Sequence, residues 1–279
     1  MLTPDVKDKV LAFVRKEPRT MNDIAKLLGR SWLTADSYVA RLREDTGLLE
    51  VKTFRGGTRG ALKVVFWSSV EKISHSVFQE KLEQEIMSAR RKEDFSAFDI
   101  FQHVPDKNKR AIVENAITED STNLKEFAEI LSSTQKQLLI FSGNLSFVNL
   151  KNKKFDMMKI LEDLVKRGII IKIICRIDFA GRENIEKVLS LNFKYGKENI
   201  EIRHRDHPVR AFVVDNKIFR IKEIKEPTGK IKELDKKLFI FYTIKDRDWT
   251  EWLSRIFWKM FSGSVGVDKR MEELKKLKL

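Results

Sequence analysis

The chain has 279 residues, of which 42% are hydrophobic and 34% charged, a length that predicts about two domains. No apolar run approaches the ~18 residues of a membrane span, and the N-terminus has no signal-peptide core, so we expect a cytoplasmic protein without a membrane partner. The single cysteine, Cys175, excludes an intramolecular disulfide and a zinc site built on several thiolates. The net charge of +14 favours a polyanionic partner such as nucleic acid or an acidic membrane surface; a charged thermophile-like surface is the alternative.

Residues 1–67 are predicted to form three short helices followed by a hairpin. Apolar residues recur at helical spacing over 4–16, 21–28 and about 31–44. Two β-rich runs, 48–54 and 61–67, then enclose a tip with three glycines. The inward positions of the third helix are predicted to be Leu33, Tyr38, Val39 and Leu42.

This order of elements resembles the winged-helix DNA-binding domains of prokaryotic, especially archaeal, regulators. In that motif the third helix enters the major groove and the hairpin reaches the DNA backbone or the minor groove. The resemblance implies double-stranded DNA as the partner; a domain used for protein contacts is the alternative. The candidate DNA-binding residues are Ser31, Trp32, Thr34, Ser37, Arg41, Arg43, Arg55, Gly56, Gly57, Thr58, Arg59 and Lys63.

Residues 68–109 are predicted to be a linker. Apolar residues at spacings of three and four predict a long helix over about 68–93, and a polar break containing Pro105 follows it. Residues 110–265 then alternate helices with apolar strands, which predicts an α/β domain with a mixed sheet. Residues 266–279 are predicted to be a basic C-terminal tail. The predicted fold class is thus a multidomain α+β / α/β chain: a winged helix, a linker helix and a mixed-sheet α/β domain.

The α/β domain resembles phospholipase D-like domains. Residues 161–176 are similar to the helix–Gly–strand unit of that family, and 200–217 to the strand pair that carries its catalytic signature H-x-K-x4-D. Counted back from Asp215, the lysine position holds Arg210 and the histidine position holds Pro208, so His207 lies one residue early. On a strand that shift turns a side chain to the opposite face. We therefore expect a catalytically inactive domain and a chain that is not an enzyme.

The residues of this degenerate site are Ser142, Asn144, His207, Arg210 and Asp215. Ser142 and Asn144 follow a predicted strand, where they could bind an anion; an ordinary strand-to-loop turn is the alternative. The four histidines lack a clustered third ligand, so we predict no metal site, and no cofactor is predicted.

A winged helix, a connecting helix and a degenerate phospholipase D-like domain together resemble the TrmB family of archaeal transcriptional regulators. Arg210 and Asp215 match the R-x4-D that these domains often retain, and residues 257–261 are similar to their closing aromatic helix. The resemblance implies transcription regulation by a homodimer, in which the second domain dimerises or senses a small-molecule effector. The alternatives are a phospholipase D-like nuclease or phosphodiesterase, a non-specific chromatin-associated DNA-binding protein, and an adaptor whose winged helix binds protein.

Overall fold

The computed structural model describes residues 2–16, 18–55, 61–67, 77–114, 122–153, 155–226 and 237–276. The chain divides into two compact units, residues 1–74 and 75–279. The mixed α/β fold class predicted from sequence is confirmed. Among the described residues, no helix is both long and apolar enough to cross a membrane.

The described part of the first unit contains three helices and a three-stranded antiparallel sheet. Its elements are α1 (Pro4–Lys16), β1 (Arg19–Thr20), α2 (Met21–Leu28), α3 (Trp32–Thr46), β2 (Leu49–Arg55) and β3 (Ala61–Trp67). The strands lie in the order β1-β3-β2, and Leu49 pairs with Trp67 at one end of the hairpin and Arg55 with Ala61 at the other. Apolar residues from all three helices and both long strands form one core, so the hairpin is fixed to the helices by burial.

Local sequence signals explain where the two central helices begin and end. Thr20 and Asp23 form a capping box at the start of α2, and the bonds from Thr20 lower the pKa of the Asp23 carboxyl. Gly29 ends α2 and Gly47 ends α3, both in the left-handed region (φ +59° and +64°), where glycine avoids the Cβ clash. The turn between α2 and α3 is therefore short, as the predicted motif requires.

One predicted core position of α3 is wrong. Val39 and Leu42 are buried as expected, but Leu33 is 75% exposed. Ala35, two residues further on, is fully buried. Because positions two apart lie on different sides of a helix, burying Ala35 turns Leu33 to the surface.

The second unit is built on an eight-stranded mixed sheet. Its strands are β4 (Lys109–Glu114), β5 (Gln137–Phe141), β6 (Ile170–Cys175), β7 (Ile200–His204), β8 (Ala211–Val214), β9 (Ile218–Lys225), β10 (Leu238–Ile244) and β11 (Val265–Gly266). They lie in the order β11-β7-β6-β5-β8-β9-β10-β4. β5, β6 and β7 are parallel to one another, and the remaining pairs are antiparallel.

Helices cover both faces of this sheet. They are α4 (Val77–Ser88), α5 (Phe98–Phe101), α6 (Thr122–Ser132), α7 (Met157–Lys166), α8 (Arg182–Tyr195), α9 (Arg247–Ser262) and α10 (Val267–Lys276). One core packs α4, α5 and α9 against one face. The other core packs α6, α7, α8 and α10 against the opposite face. Alternate residues of β5 point into the two cores, as the two-residue period of a strand requires.

The segment predicted as a linker is part of this second unit wherever the structure describes it. Leu82 and Ile86 of α4, Ile100 of α5 and Val104 are buried in the core that contains α9. The N-terminal part of the predicted linker helix, residues 68–76, lies outside the described residues. The predicted C-terminal tail likewise forms α10, which buries Leu274. Apolar residues at helical spacing in both segments are used for packing against the sheet.

Candidate functional sites

Helix α3 presents one exposed stripe. Leu33, Ser37, Ala40, Arg41 and Glu44 are all exposed. Their spacings of three and four place them on one side of the helix. The side chain of Arg41 is 64% exposed, and its weak contact with Asp45 at 3.7 Å leaves it able to reach outward. The stripe thus combines an apolar group, a hydroxyl and a guanidinium within three helical turns.

The start of α3 is fixed by its own polar residues. Ser31 is the N-cap, and its Oγ accepts a hydrogen bond from the backbone N–H of Thr34 at 3.2 Å. The two hydroxyl oxygens lie 2.9 Å apart. Ser31 and Thr34 therefore define where the first turn begins, which determines the direction in which Leu33 points.

Trp32 and Lys63 connect α3 to the hairpin. The Lys63 ammonium donates to both carboxylate oxygens of Asp36 at 2.8 Å and lies 4.9 Å from the centre of the Trp32 ring. Trp32 itself is half-buried against the core of the unit. At the other end of the helix, Arg43 pairs with Glu50 of β2 at 2.8 Å. These three predicted DNA-binding residues thus also hold α3 and the hairpin in a fixed geometry.

The hairpin tip stays a prediction. Gly56, Gly57, Thr58 and Arg59 lie outside the described residues. The backbone of Arg55 pairs with Ala61 at the end of the ladder, so β2 and β3 lead directly into the predicted tip.

In the second unit, four of the five predicted site residues lie near the carboxyl end of β5. Ser142 follows β5, and its Oγ accepts from the N–H of Leu145 at 3.2 Å. Asn144 caps the same turn by accepting from the N–H of Ser146. Arg210 lies against Gly143, where a Cβ atom would come within 3.1 Å of the guanidinium. A side chain at position 143 would therefore require the Arg210 guanidinium to shift by a few tenths of an ångström.

Arg210 is held by backbone carbonyls. Its Nη1 donates to the oxygens of His207 at 3.0 Å and Val209 at 2.9 Å. Burial lowers the pKa of the guanidinium, and the nearby charge of Arg176 lowers it further. No carboxylate among the described residues forms an ion pair with Arg210, so the cluster carries local positive charge.

His207 is buried, and it does not lie on a strand. β7 ends at His204 and β8 begins at Ala211, so the connection between them places the ring. The opposite-face argument made from sequence was therefore wrong. The ring packs against Phe141 and its Nε2 lies 3.2 Å from the carbonyl oxygen of Ile174. Burial, with a smaller contribution from the charge of Arg210, lowers the pKa of the imidazole to about 3.

The buried imidazole predicts a pH-dependent stability. The unfolded chain takes up a proton at His207 near pH 6.5, whereas the folded chain does so only near pH 3. Stability should therefore fall as the pH drops from 6.5 towards 3, by roughly 2–3 kcal/mol at pH 4.5. His207→Gln retains a donor for Ile174 and cannot titrate, so urea denaturation at pH 7 and 4.5 should show a shallower decrease for the variant. An unchanged decrease would contradict the assignment to His207.

Asp215 does not belong to this cluster. It lies at the far end of β8, beside the start of β5, because the antiparallel register opposes Leu138 to Val214 and Phe141 to Ala211. Its carboxylate accepts three backbone hydrogen bonds, from Gln135 at 2.9 Å, Lys136 at 2.8 Å and Gln137 at 3.0 Å. The two residues of the R-x4-D pattern thus lie at opposite ends of β8. Arg210 belongs to the cluster near the carboxyl end of β5, and Asp215 holds the backbone at the start of β5.

The sequence prediction missed two residues that the structure brings to these surfaces. Leu33 belongs to the exposed stripe of α3. It lies four residues before Ser37 and eight before Arg41, and this spacing could have placed it on the same side of the helix. Arg176 directly follows β6, and its backbone N–H donates to the carbonyl of Gly143 at 2.8 Å. Within the described part of the chain, no group of three or more metal-ligating side chains occurs.

No protein-family model and no curated protein matches the chain. Solved structures do match it. Nuc from Salmonella typhimurium, a phospholipase D family member, is 12% identical with a TM-score of 0.40, over 57% of this chain and 97% of Nuc. NucT from Helicobacter pylori is 12% identical with a TM-score of 0.39, over 57% of this chain and 99% of NucT. TrmBL2, an archaeal chromatin protein with a novel mode of DNA binding, is 15% identical with a TM-score of 0.38, over 94% of both chains.

These comparisons correct one prediction. The expectation that the chain is not an enzyme is contradicted, because a phospholipase D family member is among the structures that it matches. The inference of a catalytically inactive domain, which rested on the shifted position of His207, is therefore withdrawn.

Proposed function

We propose that this chain is a sequence-reading DNA-binding regulator that acts as a homodimer, with α3 in the major groove. The exposed stripe of α3 is the observation that supports this proposal. One side of α3 is exposed to solvent, and another side is attached to the hairpin. A helix held in this way can insert into the major groove of DNA.

The chemistry of the stripe suits base edges. Leu33, 75% exposed, can contact the methyl group of thymine. Ser37 can bond to either a base or a phosphate, and Arg41 can form a bidentate contact with guanine. The Leu33 and Arg41 contacts would each distinguish one base pair from another.

The same stripe favours selective over purely electrostatic binding. Non-specific binding rests on several cations that neutralise phosphates. The stripe carries a single cation, Arg41, beside an exposed acid, Glu44. A surface of this composition gains little from phosphates alone, which supports a regulator rather than a general chromatin component.

The second unit would supply the contact between the two copies. An effector, if the regulator responds to one, would bind near Ser142, Asn144 and Arg210, where the guanidinium has backbone carbonyls as its hydrogen-bond partners. Dimerisation and effector sensing are the roles that the resemblance of this domain implies.

Fluorescence anisotropy with the full chain tests the proposal. Duplexes from the native genome and random duplexes are titrated at several salt concentrations, where a negative slope of affinity against salt reports phosphate contacts. We expect a preferred duplex to be bound at least ~10³-fold more tightly than random ones. Equal affinity for all duplexes would indicate a non-specific binder, and no binding at low salt would rule out the DNA function.

The variant Leu33→Ala tests the contribution of base contacts to DNA binding separately from that of phosphate contacts. Because the side chain is exposed, its removal should leave the fold intact while weakening binding to the preferred duplex about tenfold, the cost of roughly one lost base contact. Binding to random duplexes should change little. The matched control is Phe193→Ala, which removes an 87% exposed apolar side chain from α8 in the second unit and should leave both affinities unchanged.

A further inference from the structure

Strand β4 forms an outer edge of the eight-stranded sheet. It pairs with β10 along its whole length, from Lys109 opposite Ile244 to Glu114 opposite Phe239. In the strand order β4 is the last member, so within the described part of the chain its other edge pairs with no strand. An edge strand exposes a row of backbone donors and acceptors that can pair with another strand.

The hydrogen-bond pattern shows which residues point outward. The N–H of Lys245 donates to the carbonyl of Asn108 at 2.8 Å, so position 108 faces β10. Backbone groups alternate along an antiparallel strand, and Arg110, Ile112 and Glu114 therefore also face β10. The N–H and C=O groups of Lys109, Ala111 and Val113 consequently point away from the sheet.

Exposed apolar side chains accompany this edge. Val113 is 57% exposed, and Ala111 on the same face is exposed as well. Ala111 lies opposite Tyr242, whose ring packs 4.7 Å from that of Phe101. The ring centroids of Phe101 and Phe98 lie 6.2 Å apart, and Phe98 is 48% exposed. An apolar strip thus continues from the edge strand onto α5.

We propose that β4 pairs antiparallel with β4 of a second copy of this chain, about a twofold axis through Ile112. A twofold axis perpendicular to the sheet keeps equivalent faces on the same side of the joined sheet. Ala111 of each copy then lies opposite Val113 of the other, and these are the residues whose backbone groups point outward. Two eight-stranded sheets become continuous.

The charges of β4 are complementary in this register. Arg110 of each copy lies opposite Glu114 of the other, in a non-hydrogen-bonded pair where side chains approach most closely. Arg110 is exposed and forms no ion pair within the described residues. The alternative axis through Ala111 would place Arg110 opposite Ile112 and Glu114 opposite Asn108, so neither charge would face its opposite. The observed order of charges therefore favours the axis at Ile112.

This inference specifies the contact of the proposed homodimer, and disulfide trapping in the full chain tests it. Ile112→Cys should form a covalent dimer in high yield under mild oxidation, because opposed Cα atoms in such a pair lie about 4.5 Å apart, within disulfide range. Arg110→Cys is the matched control, since its two copies would lie roughly 14 Å apart along the strands. The native Cys175 is buried and burial raises the pKa of its thiol to about 12, so it adds no background.

Sedimentation gives a second measurement that does not depend on Ile112. Val113→Lys places a charge on an exposed side chain and should leave the fold intact while weakening the dimer at least tenfold. Cross-linking of Ala111→Cys in place of Ile112→Cys would overturn the register. A Val113→Lys dimer as tight as the wild type would overturn the interface. If the wild type dimerises as described and binds no duplex at low salt, the DNA function fails and this interface stands.

Discussion

Arg41→Glu should weaken binding of the preferred duplex by roughly 30-fold or more at ~0.1 M salt, since a lost base or phosphate contact costs about 1–3 kcal/mol and the new charge repels the DNA. The fold should be unaffected. The side chain is 64% exposed, and its contact with the half-buried Asp45 is a long one at 3.7 Å, worth less than ~0.5 kcal/mol. Anisotropy titrations of the wild type and the variant measure the effect directly.

Lys9→Glu is the control for net charge. Lys9 is an exposed residue of α1 in the same unit, and the substitution changes the charge by the same amount. It should weaken binding by less than about threefold, because charges away from the contact are largely screened beyond the ~10 Å Debye length. Equal losses for the two variants would show that only the overall charge of the unit matters and that α3 does not enter the groove.

Asp215→Ala should lower the free energy of unfolding of the second unit by about 3–4 kcal/mol. The carboxylate accepts three backbone N–H groups at 2.8–3.0 Å, and donors left without a partner cost roughly 1–3 kcal/mol together with the lost charge-assisted bonds. Asp215 also has φ +52°, a conformation that alanine tolerates less well than aspartate. Urea denaturation followed by tryptophan fluorescence and circular dichroism measures the loss.

Two further variants separate these contributions. Asp215→Asn tolerates the same backbone conformation and keeps one acceptor oxygen, so it should lose about half as much. Asp163→Ala removes an exposed carboxylate that pairs with Arg167 on α7, and it should cost less than ~1 kcal/mol. A loss at Asp215 no larger than that at Asp163 would contradict a structural role for Asp215.

The sequence predicted the fold well where periodicity is regular. The helices of the first unit and the strands β5, β6 and β7 follow apolar patterns that a long buried element imposes. The sequence does not predict β4, because its three apolar residues in a row are flanked by charged ones and lie at an edge, where burial is low and no strand period appears. The linker prediction for 68–109 does not show that residues 77–109 pack in the core, because their short helices contribute only a few apolar residues each and the sheet that buries them is distant in sequence.

The candidate sites were less predictable, for reasons of register. A spacing such as R-x4-D shows only that two residues are near in sequence. Arg210 precedes β8 and Asp215 follows it, so the whole length of the strand lies between them. Likewise, the direction of Leu33 depends on how α3 packs through Ala35, which a spacing pattern alone does not decide. Charge in the sequence also did not reveal that Lys63 is engaged by Asp36, 27 residues away.

The burial of the apolar face of α9 has a consequence for how the protein is made. Ten of its 16 residues are buried, and the apolar ones complete the core on one face of the sheet although they follow all the strands that they cover in the chain. Until residue 261 has left the ribosome, strands β5, β8 and β9 have one apolar face without its cover. The first unit, whose described elements lie within residues 4–67, can fold long before then. During synthesis the chain therefore has a period in which the first unit is folded and the sheet of the second is still open to chaperones and to aggregation.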